Sequence, residues 1–135
     1  MQSNNNKIKE DPSRILLVDD EPDVTLGFEI GLEDSGFVVD SFNDPILALS
    51  SFKQGSYSLA LFDIRMPKLN GFELYREIRK IDDKIKICFM TAFDIQNEKL
   101  EEELPTIHSA KPLVVRKPIR IDDLIAKINS ELSKD

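Results

Sequence analysis

Five polar residues, far apart along the chain, are of types that do chemistry together. Asp19 and Asp20 follow the apolar run Ile15-Leu16-Leu17-Val18, and Asp63 ends the run Leu59-Ala60-Leu61-Phe62. Thr91 ends the segment that begins at Lys86, and Lys117 follows Leu113-Val114-Val115. Each run is short and bounded by turn signals, which reads as a strand buried on both faces of a parallel sheet. All five polar groups then stand at the carboxyl ends of strands, the rim where open α/β sheets bind ligands. Singly, each has an ordinary structural explanation as a turn, a cap or a strand exit. Polar groups closing four strands on one rim exceed what packing alone requires.

The chemistry follows from the residue types. In a doubly wound sheet ordered 2-1-3-4-5, the first and third strands are neighbours at the switch point. Asp19, Asp20 and Asp63 then share one small rim. Like charges that close raise one another's pKa. A hard divalent cation relieves the repulsion, and Mg²⁺ prefers a few carboxylates with water and phosphate oxygens. A hydroxyl and an ammonium opposite such a metal form a receptacle for an anion with several oxygens. With a carboxylate in the middle, the matching reaction is phosphoryl transfer onto that carboxylate, giving an acyl phosphate.

Alternating strands and helices must position these groups. Pro22 and Asp23 suit the start of a helix from about Pro22 to Ser35, with Val24, Phe28 and Leu32 on one stripe. Gly27 and Gly31 share that stripe and are expected to let the helix lie close to the sheet; Gly36 stops it. Val38 to Phe42 reads as a strand. Asp44-Pro45 opens a second helix with Ala48, Leu49 and Phe52 inward and Gly55 as its stop. After Asp63, Pro67 and Asn70-Gly71 force a loop. A third helix runs from about Gly71 to Ile81, with Leu74, Tyr75 and Ile78 inward and Asn70 as its cap. A fourth helix is expected over residues 97 to 104 before Pro105, its acidic run a solvated face. A fifth, from Ile121 to Leu132, carries Ile121, Leu124, Ile125, Ile128 and Leu132 on one stripe. The fold class is α/β, a single five-stranded parallel sheet flanked by five helices.

Composition narrows the function classes. The 135 residues favour one domain, and 41% hydrophobic residues are ordinary for a globular chain. A formal net charge of -7, with a pI near 4.8, disfavours direct nucleic-acid binding and suits a cation or a basic partner. Cys88 stands alone inside an apolar run, where an inert buried thiol is expected, and no internal disulfide is possible. The polar, Asn-rich start is not a signal peptide, and no apolar run is long enough to span a bilayer. These features lead us to expect a cytoplasmic protein with no membrane insertion. Residues 1–13 are expected to form a flexible tail and residues 14–135 the folded domain.

Leu17-Val18-Asp19-Asp20-Glu21, Asp63-Ile64-Arg65-Met66-Pro67 with Gly71, Thr91-Ala92 and Lys117-Pro118 together resemble the receiver (CheY-like) domain of two-component response regulators, over nearly everything from Arg14 to Leu132. The resemblance implies a flavodoxin-like receiver fold with Asp63 as phosphoacceptor. It implies Mg²⁺ held directly by Asp20, Asp63 and the backbone carbonyl of Arg65. Asp19 would support the metal through water and pair with Lys117, while Thr91 and Lys117 hold the phosphoryl oxygens. The implied donor is the phosphohistidine of a sensor histidine kinase or phosphotransfer protein, with small acyl phosphates as substitutes. The chain would be a switch that assists its own phosphorylation and dephosphorylation, not an enzyme with a separate substrate. Its output would be contact with an effector protein or a second copy, through the face of the fourth helix, fifth strand and fifth helix.

Three departures from the family pattern stand out. Val114 occupies the position where the family has Tyr or Phe, which puts the aromatic part of the Thr91 switch in question. The segment from Thr91 to Lys117 is longer than usual and has His108-Ser109-Ala110 in place of a Gly-Ala pair, with His108 read as a loop residue. Arg65 and Phe93 flank the path of the attacking water, so a long-lived phosphorylated state is expected.

The alternative is a receiver-like scaffold that binds partners without phosphorylation; the complete acidic set and Lys117 argue against it. A flavin carrier is disfavoured because Asp19-Asp20-Glu21-Pro22-Asp23 would repel phosphate. A dehalogenase-type phosphatase would want Asp where Arg65 stands, and no Walker A loop exists.

Overall fold

The computed structural model describes residues 12–92 and 112–134. Five strands run in chain order: β1 (Arg14–Val18), β2 (Val38–Phe42), β3 (Leu59–Asp63), β4 (Lys86–Thr91) and β5 (Leu113–Arg116). They form one sheet in the order β2-β1-β3-β4-β5, every pair parallel. The four helices among the described residues are α1 (Pro22–Asp34), α2 (Pro45–Ser51), α3 (Gly71–Ile81) and α4 (Ile121–Leu132). The helix expected over residues 97 to 104 lies outside the described residues.

The apolar runs are strands because both of their faces are covered. Leu16, Val18, Ala60, Phe62, Ile87 and Phe89 point to one side and pack with Ala48 and Phe52 and with Phe72, Leu74, Tyr75 and Ile78 of α3. Ile15, Leu17, Leu59, Leu61, Cys88 and Met90 point to the other and meet Leu32 of α1 and Leu124 and Ile128 of α4. The period of two along each strand therefore feeds two cores, one above and one below the sheet. All five residues of β3 are buried, as befits the central strand. Cys88 is fully buried, and burial pushes its thiol well above the ordinary range, so it behaves as a small apolar side chain.

Local chemistry sets the helix starts. Asp44 caps α2 by accepting from the Ile46 amide at 2.9 Å. Asn70 caps α3 in a reciprocal box: its side-chain oxygen accepts from the Glu73 amide and the Glu73 carboxylate accepts from the Asn70 amide, both at 2.9 Å. The expected stripe on α4 is present: Leu124 and Ile128 are buried, with Ile121, Ile125 and Leu132 half-buried beside them.

The glycines of α1 act differently from expectation. A side chain at Gly31 would collide with Ile121, so this glycine brings α1 against α4, not against the sheet. Gly27 faces open space and relieves no contact at all. The side chain that α1 buries near its start is Thr25, a polar residue that the apolar stripe did not flag.

Candidate functional site

The parallel register brings the strand ends to one rim. Val18 pairs with Phe62 across β1 and β3, which puts Asp19 and Asp63 level on neighbouring strands. Asp63 pairs with Met90, so Thr91 lies one residue further along the adjacent strand. The Lys117 amide donates to the Thr91 carbonyl at 2.8 Å, which joins the end of β5 to the end of β4. The Ile64 amide donates to the Met90 carbonyl at 2.8 Å and carries the ladder just past Asp63.

Gly71 is the residue that lets the loop after β3 close. Its amide donates to the Ile64 carbonyl at 2.9 Å. A Cβ there would lie 2.5 Å from the Asp63 carbonyl oxygen and 3.0 Å from Ile64 Cα, both backbone atoms. The same loop turns at Lys68, whose φ of 73° lies in the left-handed region, with the Leu69 amide donating to the Pro67 carbonyl at 2.8 Å. Lys68 also pairs with Asp44 at 3.4 Å, tying the loop to the start of α2.

Carboxylate oxygens of Asp19, Asp20 and Asp63 all lie within 4.8 Å of one another. Asp19 is fully buried, Asp63 nearly so, and Asp20 half-buried. Lys117 enters the cluster with its Nζ 2.8 Å from Asp19 Oδ2, 3.4 Å from Glu21 Oε1 and 3.6 Å from Asp63 Oδ1. Asp19 Oδ1 accepts from the Glu21 amide at 3.0 Å, so both of its oxygens are engaged.

One ammonium meets the carboxylates of Asp19, Glu21 and Asp63, with Asp20 close by, and the excess negative charge bears on Asp63. Burial pushes Asp63 up to about 7; the charges of Asp19, Asp20 and Glu21 add to this, and Lys117 only partly offsets it. For Lys117 burial works against the charge, but the hydrogen bond to Asp19 and the charges of Asp63, Asp19 and Glu21 outweigh it and hold its pKa above the ordinary value. A cluster of hard oxygen donors whose central member resists ionisation fits a divalent cation such as Mg²⁺.

The site residues named from the sequence fall as follows. Asp19, Asp20, Asp63 and Lys117 converge on the rim. Thr91 is buried at the end of β4 beside them. Arg65 lines an open hollow of about 320 Å³ with Asp20, Met66, Pro67 and Asn70. Val114 is half-buried on β5, level with Phe89, and packs against the core that contains Phe72 and Phe89. Phe93 and His108 lie outside the described residues. Sequence reasoning missed Glu21 as a partner of Lys117, although it continues the acidic run. It also missed Asn43, whose side-chain amide holds the Asp19 carbonyl at 2.8 Å; no spacing rule connects residues so far apart.

Comparison with known proteins gives the same picture. The family model for the response regulator receiver domain matches residues 15–129. The response regulator receiver protein CpdR of Brucella abortus is 34% identical over 119 residues, which cover 88% of this chain and 96% of CpdR. The transcriptional regulatory protein CpxR homolog of Haemophilus influenzae is 35% identical over 90% of this chain, but over only 51% of its own length. YkoG of Bacillus subtilis is likewise matched over 51% of its length, so the chain spans about half of several curated relatives. Among solved structures, a CheY-like receiver domain protein of Methanospirillum hungatei superposes with a TM-score of 0.78 at 26% identity, covering 90% of this chain and 94% of that one. Response regulator TrrA of Thermotoga maritima, solved in complex with Mg²⁺–BeF, is 32% identical, with a TM-score of 0.71, and covers 87% of this chain and 97% of its own. TrrA has also been solved in complex with the histidine kinase ThkA; that match has a TM-score of 0.73 at 32% identity, over 90% of this chain and 99% of the other. A sheet of this order, an acidic rim of this composition and a family match over residues 15–129 converge: the chain belongs to the receiver domains of two-component response regulators.

Proposed function

We propose that Asp63 is the phosphoacceptor of this receiver domain and that the acidic rim holds Mg²⁺ through Asp20, Asp63 and the backbone carbonyl of Arg65, with Asp19 acting through water. The observation that carries this reading is the convergence of Asp19, Asp20, Asp63 and Lys117 from three strand ends onto one rim. When bound, the metal neutralises charge that builds on the transferring phosphoryl group. The chain's own residues do the rest. An Asp63 oxygen forms the new O–P bond as the N–P bond of a phosphohistidine breaks, and the leaving imidazole keeps the electron pair and takes up a proton. Lys117 and Thr91 receive the phosphoryl oxygens, and Asp19 keeps the Lys117 ammonium charged and aimed.

The domain assigned to this activity is residues 14–135, with residues 1–13 as a tail before it. The donor class is a sensor histidine kinase or phosphotransfer protein, in keeping with the kinase-bound state of TrrA. The chain is a switch that assists its own phosphorylation and dephosphorylation, and has no other substrate. A phosphoryl group adds about -1.5 to -2 charges at the rim. Held by Thr91 and Lys117, it biases the chain beyond β4 and alters the face around β5 and the final helix, with Val114 in place of a swinging ring. The partner there is an effector protein or a second copy, not nucleic acid, for which a net charge of -7 is unsuited. The compartment we assign is the cytoplasm, where a lone thiol such as Cys88 stays reduced. Among the described residues no helix is long and apolar enough to cross a membrane.

Incubation with Mg²⁺ and acetyl phosphate, followed by intact-mass measurement, tests the assignment. One phosphate adduct on wild type and none on Asp63→Asn is the expected result. An adduct retained by the variant overturns Asp63 as the acceptor, and no adduct on either favours a phosphorylation-independent scaffold. The same samples, followed over time, test slow loss of the phosphoryl group past Arg65.

A further inference from the structure

We propose that Asn43, at the end of the neighbouring strand β2, is a positioning residue that sets the orientation of the Asp19–Asp20 peptide and thereby aims Asp20 at the metal. The inference rests on the metal-binding reading above and adds to it a residue with no carboxylate and no contact with the ligand.

The geometry is specific. Asn43 Nδ2 donates to the Asp19 carbonyl at 2.8 Å and to Thr25 Oγ1 at 3.0 Å. An amide nitrogen has two hydrogens, so both bonds form together. The direction of each is fixed by its partner. The Asp19 carbonyl can only accept, and the Thr25 hydroxyl spends its own proton on the Pro22 carbonyl at 2.9 Å, leaving its lone pairs to Asn43. Thr25 is buried at the start of α1. The Asn43 amide therefore ties three elements together: the exit of β2, the turn after β1 and the first turn of α1.

The strand ladder holds the other side of the same residue, since the Asp19 amide donates to the Phe42 carbonyl at 3.1 Å. Asp19 is thus fixed at both its N–H and its C=O. Its side chain is fixed as well, by Lys117 and the Glu21 amide. The Asp20 carboxylate lies beside those of Asp19 and Asp63, and its side chain springs from the peptide that joins it to Asp19. That peptide begins at the carbonyl Asn43 grips. Freeing this carbonyl lets the Asp19–Asp20 plane rotate and swings the Asp20 oxygens away from those of Asp63. Metal affinity is sensitive to such indirect support; loss of an outer partner weakens binding about 10- to 100-fold.

The test is Mg²⁺ affinity measured by calorimetry on folded protein at one pH, with circular dichroism and urea midpoints recorded in parallel. Asn43→Ala is expected to raise the Kd for Mg²⁺ about tenfold. Asn43→Ser, too short to reach either acceptor, is expected to do the same and serves if the alanine variant does not fold. Thr25→Val keeps the bond to Asp19 and is expected to change the Kd by no more than about threefold. A merely structural role would lower the urea midpoint and leave the Kd of the folded protein unmoved. Wild type that binds Mg²⁺ with both Asn43 variants within twofold of it overturns this inference alone. Wild type that binds no Mg²⁺ overturns the metal reading and this inference with it.

Discussion

Lys117 is anchored by Asp19, with 2.8 Å between Nζ and Oδ2, and stands further from Asp63, at 3.6 Å. Asp19 is fully buried and the Lys117 side chain is 11% exposed, so each stands largely out of water with the other as its main compensation. Lys117→Met strands a buried carboxylate beside two others. The expected cost in metal-free protein at pH 8 is about 2–4 kcal/mol, read from urea denaturation. Adding Asp19→Asn should restore at least half of that loss. Labelling by acetyl phosphate should fall about 100-fold in Lys117→Met and stay low in the double variant, because the oxygens of the transferring group lose their cation.

Stability of the metal-free protein should depend on pH through Asp63. Its carboxyl titrates near 7 in the fold, whereas an unfolded Asp titrates near 4. The folded state thus holds this proton more tightly. The contribution of Asp63 is fully present below about pH 4 and is lost as the pH rises through about 7. Asp63→Asn cannot ionise and should be more stable than wild type at pH 8 by about 1–2 kcal/mol, solvent at the rim screening the rest. Saturating Mg²⁺ should erase the difference. Urea midpoints between pH 4 and 8, with and without the metal, measure both effects.

Two glycines should respond to alanine with opposite signs. At Gly71 the added methyl meets the Asp63 carbonyl oxygen at 2.5 Å, and backbone on both sides leaves no flexible group to yield. Gly71→Ala should destabilise by about 1–3 kcal/mol and weaken Mg²⁺ binding, since the displaced atoms carry Asp63. At Gly27 the methyl meets nothing, on an exposed helical position. Gly27→Ala should stabilise by about 0.5–1 kcal/mol and leave metal affinity unchanged.

Away from the rim, Tyr57 donates its hydroxyl to Asp40 Oδ2 at 2.8 Å, and Arg14 pairs with the same carboxylate at 3.2 Å. Burial, helped by the hydrogen bond to Asp40 and its charge, pushes the phenol up to about 12 against a weaker pull from Arg14. A spectrophotometric titration of wild type minus Tyr57→Phe should show this late transition, and Asp40→Asn should bring it earlier. The fold loses the stability tied to this proton as the pH rises from about 10 through 12.

Much of this was legible in the residues, for reasons that also mark the limits. The runs that end in Asp19, Asp63 and Thr91 read correctly as buried strands because burial on both faces removes polar residues from them. Asn70 read correctly as a cap because a capping box is a local pattern. The stripe of α1 misled because periodicity shows which residues share a face and not what the face meets. Gly31 meets Ile121 of α4, and Gly27 meets nothing. The partners Asn43, Thr25 and Glu21 were missed because each acts through a hydrogen bond or ion pair closed by tertiary approach. Composition could not distinguish them from surface polar residues.

The bond from the Lys117 amide to the Thr91 carbonyl has a mechanical consequence. The two residues assigned to grip the phosphoryl oxygens are joined through main chain, so a displacement of one is coupled to the other. Under the proposed assignment, a pull on the Thr91 hydroxyl would reach the end of β5 through this main-chain bond, a route that needs no bulky ring at Val114.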